Sequence, residues 1–117
     1  MHELSVSAAV VDTAVRHAAG RTVTSVHLRV GALRQVVPDS LAFYFEIVAR
    51  DTVCEGARLE QELIAARLRC EGCATEWAAD APAFRCPACA GSAVAVVCGD
   101  ELEVESIDVE TEAQCIA

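Results

Sequence analysis

Two short cysteine pairs, Cys70-Glu-Gly-Cys73 and Cys86-Pro-Ala-Cys89, stand with twelve residues between them in a chain of 117. Two residues between paired cysteines let one tight turn aim both sulfurs at a single point, and two such turns face to face complete a tetrahedral tetrathiolate site. The module carries few large apolar side chains, chiefly Trp77 and Phe84, and a segment of about 30 residues with so little core depends on a bound metal to fold. Trp77 and Phe84 are expected to pack against the metal loops. Soft S₄ sites suit Zn²⁺, with the single iron of a rubredoxin-like electron carrier as the alternative. Four protein ligands leave no open position for water or substrate, so the site is expected to be structural rather than hydrolytic.

The remaining cysteines, Cys54, Cys98 and Cys115, fall outside the pattern and read as small hydrophobes or free thiols. Seven cysteines cannot all pair within one chain, and the His-Glu-Leu-Ser start lacks the basic and apolar blocks of an export signal. Metal ligation therefore outranks disulfides, and a cytoplasmic location is expected. Cys115-Ile116-Ala117 is one residue short of a prenylation box, and no apolar run approaches the roughly 20 residues of a membrane span. Nine arginines, no lysine and eighteen acidic residues give a net charge of -9, which disfavours binding to a phosphate backbone and makes a zinc-ribbon adaptor of a nucleic-acid machine a poor reading. No nucleophile-and-base constellation, phosphate loop or open metal site points to an enzyme.

Outside the module the sequence spells a short order of elements. Leu4, Val11, Val15 and Ala18 recur at helical spacing over Glu3 to Ala19, with Gly20 at the C-terminal cap position. From Thr22 to Leu33, Thr24, Val26, Leu28 and Val30 alternate with Val23, Ser25, His27 and Arg29, as in a half-buried strand. Pro38 suits the first turn of a second helix with Leu41, Phe45 and Val48 as its buried stripe, ending near Arg50 or Asp51. A strand over Leu59 to Leu68 would place Leu59, Gln61, Leu63 and Ala65 on one face. A last strand carries Leu102 and Val104 on one face but Ile107 and Val109 on the other, which calls for a bulge or for cover on both sides. The fold class is α+β, with an inserted zinc-ribbon-like CxxC/CxxC module. Residues 1–67 and 99–117 form the main domain and 68–98 the inserted one; if the strands flanking the module pair with each other, the module is an elaborated tip between them.

At the other end of the chain, Met1-His2-Glu3 sets an imidazole beside an amine. A free amine, deprotonated backbone amides and the His2 imidazole can form fused chelate rings, and a square-planar nitrogen set favours Ni²⁺ or Cu²⁺. A residue as large as His at position 2 favours retention of Met1, which fixes the register of such a chelate. His17, near a helix C-terminus, and His27, on the polar strand face, read as ordinary surface residues.

MHELS, VGALRQVVPDSLAFYFEIV, EGARLE, the two CxxC pairs and GDELEVESIDVE together resemble the HypA/HybF family of hydrogenase-maturation nickel chaperones, nearly end to end. The resemblance implies two helices packed on a small three-stranded sheet, with a zinc domain inserted before the last strand. It implies a nickel site that depends on His2, with Met1 and Glu3 as neighbours in the chelate, and structural zinc on Cys70, Cys73, Cys86 and Cys89. It further implies a carrier that works with a GTPase partner and delivers nickel to the large subunit of a [NiFe]-hydrogenase. Some members carry a His close to a CxxC pair; here CEGCATEW and CPACAGS contain none.

Overall fold

The computed structural model describes residues 2–79 and 85–110; Met1, Phe84 and Cys115 lie outside the described residues. The order is α1 (Glu3–Ala18), β1 (Val23–Gly31), a 3₁₀ turn (Ala32–Arg34), α2 (Pro38–Val48), β2 (Arg58–Ile64), β3 (Ala66–Cys70), β4 (Glu76–Ala79), β5 (Val94–Cys98) and β6 (Leu102–Val109). The strands form two three-stranded sheets, ordered β2-β1-β6 and β4-β3-β5. The chain divides into two compact units: Met1–Leu28 with Val36–Gln61 and Glu103–Ala117, and Arg29–Gln35 with Glu62–Leu102.

In the first unit the two helices pack through small and branched side chains. Val6, Val10, Val11, Ala14 and Ala18 of α1 are buried, as are Leu41 and Phe45 of α2. Ser7 is fully buried and donates to the Leu41 carbonyl at 3.2 Å, so its hydroxyl is not an unpaid polar group in the core. Leu4, expected on the buried stripe, is 52% exposed; it sits in the first turn, before the inward face begins. Pro38 opens α2, where its missing N–H costs nothing. The end of α1 is set by Ala19, which itself takes the left-handed conformation (φ 52°) ahead of Gly20 (φ 88°).

β1 is the middle strand, and residues of both its faces are buried: Val23 and Ser25 on one, Val26 and Leu28 on the other. Within the first unit the Glu110 N–H donates to the Thr22 carbonyl and the Thr24 hydroxyl to the Asp108 carbonyl. Residue numbers thus rise along β1 as they fall along β6, and the two strands are antiparallel. The strands that flank the cysteine module in sequence do not pair with each other; β2 and β6 lie on opposite sides of β1. Along β6 the half-buried residues are Leu102, Val104, Ile107 and Val109, while Glu105 and Ser106 are both exposed, so the alternation slips by one residue, as a bulge would make it.

The strand read as Leu59–Leu68 is two strands in different sheets. β2 ends at Ile64 and β3 starts at Ala66, and Leu63, expected on the inward face, is 61% exposed while Ile64 is half-buried. The second unit supplies the reason. Gly99 (φ +105°) lies so close to β3 that a Cβ on it would stand 2.4 Å from the Ala66 Cα, and a Cβ on Gly31 would stand 2.0 Å from the Gly99 carbonyl oxygen. Three backbones cross where only glycine fits, and Ala66 becomes fully buried beneath that crossing. The module is also richer than a pair of turns, since β3, β4 and β5 form an antiparallel sheet with Leu68 opposite Trp77 on one side and Val96 on the other. Trp77 is thus a half-buried residue of this sheet.

Candidate metal centres

The sheet of the second unit brings both cysteine pairs to one end. β3 finishes at Cys70, the first pair forms the turn into β4, and the second pair leads into β5, whose Val94 lies opposite Cys70. The two turns share one backbone design. The Cys70 N–H donates to the Thr75 carbonyl at 2.8 Å and the Cys86 N–H to the Gly91 carbonyl at 2.9 Å. The Ala74 N–H donates to the Cys70 carbonyl and the Ala90 N–H to the Cys86 carbonyl. Ala74 (φ 64°) and Ala90 (φ 60°) both take the left-handed conformation that closes the turn. The Gly72 and Ala88 N–H groups each lie 3.3 Å from the first sulfur of their pair, placed to donate to a thiolate.

All four sulfurs lie within 4.8 Å of one another, with Cys70 to Cys89 and Cys73 to Cys86 at 3.6 Å. A tetrahedral ion with metal–sulfur bonds of 2.3 Å requires sulfur separations of about 3.8 Å, so the cluster has the size of a tetrathiolate shell. Cys70 and Cys86 are buried; Cys73 and Cys89 are exposed. The Thr75 hydroxyl, 3.1 Å from the Cys73 sulfur, leads the hydrogen bonds that bring that thiol down to about 6. At Cys89 the Gly91 N–H pulls the other way, but the neighbouring thiols of Cys70, Cys86 and Cys73 prevail and push it up to about 11. Four sulfurs this close cannot share negative charge without a cation among them, and a soft dication fits the donors.

The amino-terminal candidates are arranged differently. His2 is exposed and serves as the N-cap of α1 without a side-chain capping bond, its carbonyl accepting the Val6 N–H at 3.1 Å. Glu3 turns towards α2, where its Oε2 accepts the Val37 N–H at 3.2 Å. That bond is the main reason its carboxyl lies below the usual glutamate range. Val37 is the N-cap of α2 and has no capping side chain of its own, so Glu3 supplies a carboxylate at the positive end of that helix. His17 is exposed, and His27 Nε2 lies 2.8 Å from Asp108 Oδ2.

The profile of the family described as "Hydrogenase/urease nickel incorporation, metallochaperone, hypA" matches residues 1–109. The chain belongs to the HypA family. Among curated HypA hydrogenase maturation factors it is 46% identical to that of Geotalea uraniireducens over 110 residues, covering 94% of this chain and 100% of the relative. It is 38% identical to that of Aeromonas salmonicida over 112 residues, covering 93% and 99%. The solution structure of the nickel metallochaperone HypA from Helicobacter pylori has the same fold, with a TM-score of 0.70 at 22% identity, covering 96% of this chain and 100% of that one. As a HypA protein the chain is a nickel metallochaperone of hydrogenase maturation, a carrier family rather than an enzyme family. No helix among the described residues is long and apolar enough to cross a membrane.

Of the residues singled out in the HypA sequence, the structure gathers the four cysteines at one point and leaves His2 exposed at the start of α1. Two partners went unread. Thr75 follows Cys73 by two residues, a spacing at which a hydroxyl can reach a knuckle sulfur, so its signal was local. Val37 is 34 residues from Glu3 in sequence, and nothing local marks its N–H as the partner of that carboxylate.

Proposed function

We propose that this chain captures Ni²⁺ at its N-terminus and, with a hydrogenase-maturation GTPase, delivers it to the large subunit of a [NiFe]-hydrogenase. The Met1 amine, nearby backbone amides and the His2 imidazole would be the donors, with Glu3 as a neighbour in the chelate. The observation that carries this reading is the family match, which begins at residue 1 and takes in both the MHE start and the four cysteines. An exposed His2 supports it, because a carrier must let incoming ligands approach while its own depart. Protons compete with Ni²⁺ for the same nitrogens, so affinity falls on acidification.

Cys70, Cys73, Cys86 and Cys89 would hold Zn²⁺ as a structural ion and keep the inserted domain of residues 68–98 folded, while residues 1–67 and 99–117 would make the nickel-binding domain. The relay would run in the cytoplasm and involve neither nucleic acid nor membrane. Metal analysis of His2→Ala tests the reading. The expected result is one zinc per chain and no nickel after exposure to both; stoichiometric nickel in that variant would move the site elsewhere. A coloured, iron-loaded protein that bleaches on reduction would replace the zinc assignment with the rubredoxin-like one.

A further inference from the structure

The two cysteine turns share a backbone but differ in the side chain beside the exposed sulfur. Thr75 and Gly91 hold the same place, each accepting the N–H of the first cysteine of its pair at the carbonyl. In the first turn the Thr75 hydroxyl lies 3.1 Å from the Cys73 sulfur. In the second that space is left open: a Cβ on Gly91 would stand 3.2 Å from the Cys89 sulfur. Each exposed sulfur also takes a backbone hydrogen bond, Cys73 from Thr75 and Cys89 from Gly91, so the hydroxyl is what separates them. Cys70 and Cys86 are buried, with the Gly72 and Ala88 N–H groups at 3.3 Å. Of the four sulfurs, only Cys89 is exposed and without a hydroxyl donor among the described residues.

That asymmetry sets reactivity once a metal is bound. Metal ligation deprotonates all four thiols, so the fraction present as thiolate no longer distinguishes them. Access and intrinsic nucleophilicity do, and a hydrogen bond that draws electron density from a thiolate makes it the poorer nucleophile. Burial removes Cys70 and Cys86 from first attack, and the Thr75 hydroxyl quiets Cys73.

We propose that Cys89 is the redox-reactive site of the cluster, oxidised first by a hydroperoxide and then joined to Cys70, while Thr75 is the positioning residue that keeps Cys73 out of that chemistry. This rests on the reading of the four cysteines as a structural zinc shell. With hydrogen peroxide, the Cys89 thiolate attacks one oxygen and the O–O bond breaks. The other oxygen leaves and takes a proton to become water, and Cys89 becomes a sulfenic acid. The Cys70 sulfur, 3.6 Å away, then attacks the Cys89 sulfur, forming the disulfide and expelling hydroxide, which a second proton converts to water. Two thiolates have lost two electrons to the peroxide. Cys73 and Cys86 alone cannot close a tetrahedral shell, so the second unit gives up its metal until a thiol reductant restores both sulfurs.

The test uses the full-length, zinc-loaded chain. Limiting N-ethylmaleimide, followed by digestion and fragment-ion mapping, should label Cys89 ahead of Cys73 by about threefold or more, with zinc release tracking that label. Reaction at Cys98 or Cys115, outside the shell, is read separately in the same maps. Hydrogen peroxide should release zinc and give a Cys70–Cys89 disulfide, and dithiothreitol with added zinc should reverse both. Thr75→Ala should raise labelling of Cys73 to that of Cys89 while one zinc per chain is kept, and Thr75→Ser, which retains the hydroxyl, should restore the native order. Equal or faster labelling of Cys73 in the native chain, a Cys73–Cys86 disulfide, or peroxide that releases no zinc would each overturn the proposal and leave the zinc shell standing. An unchanged Cys73 rate in a zinc-loaded Thr75→Ala chain would overturn the role of Thr75. A native chain isolated without zinc would overturn the shell itself, and the proposal with it.

Discussion

The two compact units are held together by different physics. The first buries Val10, Val11, Val26, Leu28, Leu41 and Phe45, each contributing about 1.5–3 kcal/mol by leaving water. In the second, the buried apolar residues among those described are Val30, Ala66, Leu68, Cys70 and Cys86, and two of these five are candidate metal ligands. A unit with so thin a core needs a staple. Metal binding in small zinc modules is worth about 10–16 kcal/mol, as much as the whole net stability of an ordinary domain. The first unit can therefore stand on packing alone, and the second cannot.

The largest consequence concerns metal removal. Chelation, or Cys73→Ser or Cys86→Ser, should abolish zinc binding and strip hydrogen-exchange protection from β3, β4 and β5 while α1 and α2 stay protected. Unchanged zinc content in either variant would sink the tetrathiolate assignment, and uniform loss of protection would erase the contrast between the units. Next comes the packed core: Phe45→Ala should lower the stability of the first unit by about 3–5 kcal/mol, measured by denaturant unfolding, without changing the zinc content. Gly99→Ala should cost at least the strain of about 1–3 kcal/mol that a positive φ imposes. Its added methyl meets Ala66 at a positive φ, so the thermal transition should fall while metal binding survives.

The smallest effect is electrostatic. The Ser25 hydroxyl donates to Asp108 at 2.6 Å, and with His27 beside the same oxygen it holds the Asp108 carboxyl below the usual aspartate range. A depressed value in the folded state means that the ionised carboxylate stabilises the fold above the ordinary aspartate range and loses that contribution as pH falls through the folded value. The stability advantage of the native chain over Asp108→Asn should accordingly shrink on acidification; a constant gap would show that the carboxylate is not what Ser25 and His27 recognise. Because Asp108 is exposed, solvent screens the interaction and keeps it small.

How much of this could be read from sequence also divides between the units. α1, β1 and α2 were legible because each has a local period and a local boundary signal, such as Pro38 at the head of α2. The cysteine shell was legible because its geometry follows from the spacing within each pair. The break between β2 and β3 was not, since it depends on Gly99 crossing Ala66, a contact between residues 33 apart with no local trace. β4 and β5 were not, because strands as short as Glu76–Ala79 and Val94–Cys98 carry too little alternation to stand out among cysteines and turns. Glu3 enters the chelate only through the family resemblance, and its bond to Val37 has no local trace because it depends on how α1 packs against α2.

The N-terminus as a nickel carrier can be tested without altering any side chain. Nickel titration and metal content should be compared between the protein with a native Met1 amine and a version extended by a few residues ahead of Met1. The expected result is stoichiometric nickel on the native form, a large loss of nickel affinity in the extended form, and one zinc per chain in both. Equal nickel affinity in the two forms would contradict the terminal chelate and shift the site to side chains elsewhere in the chain.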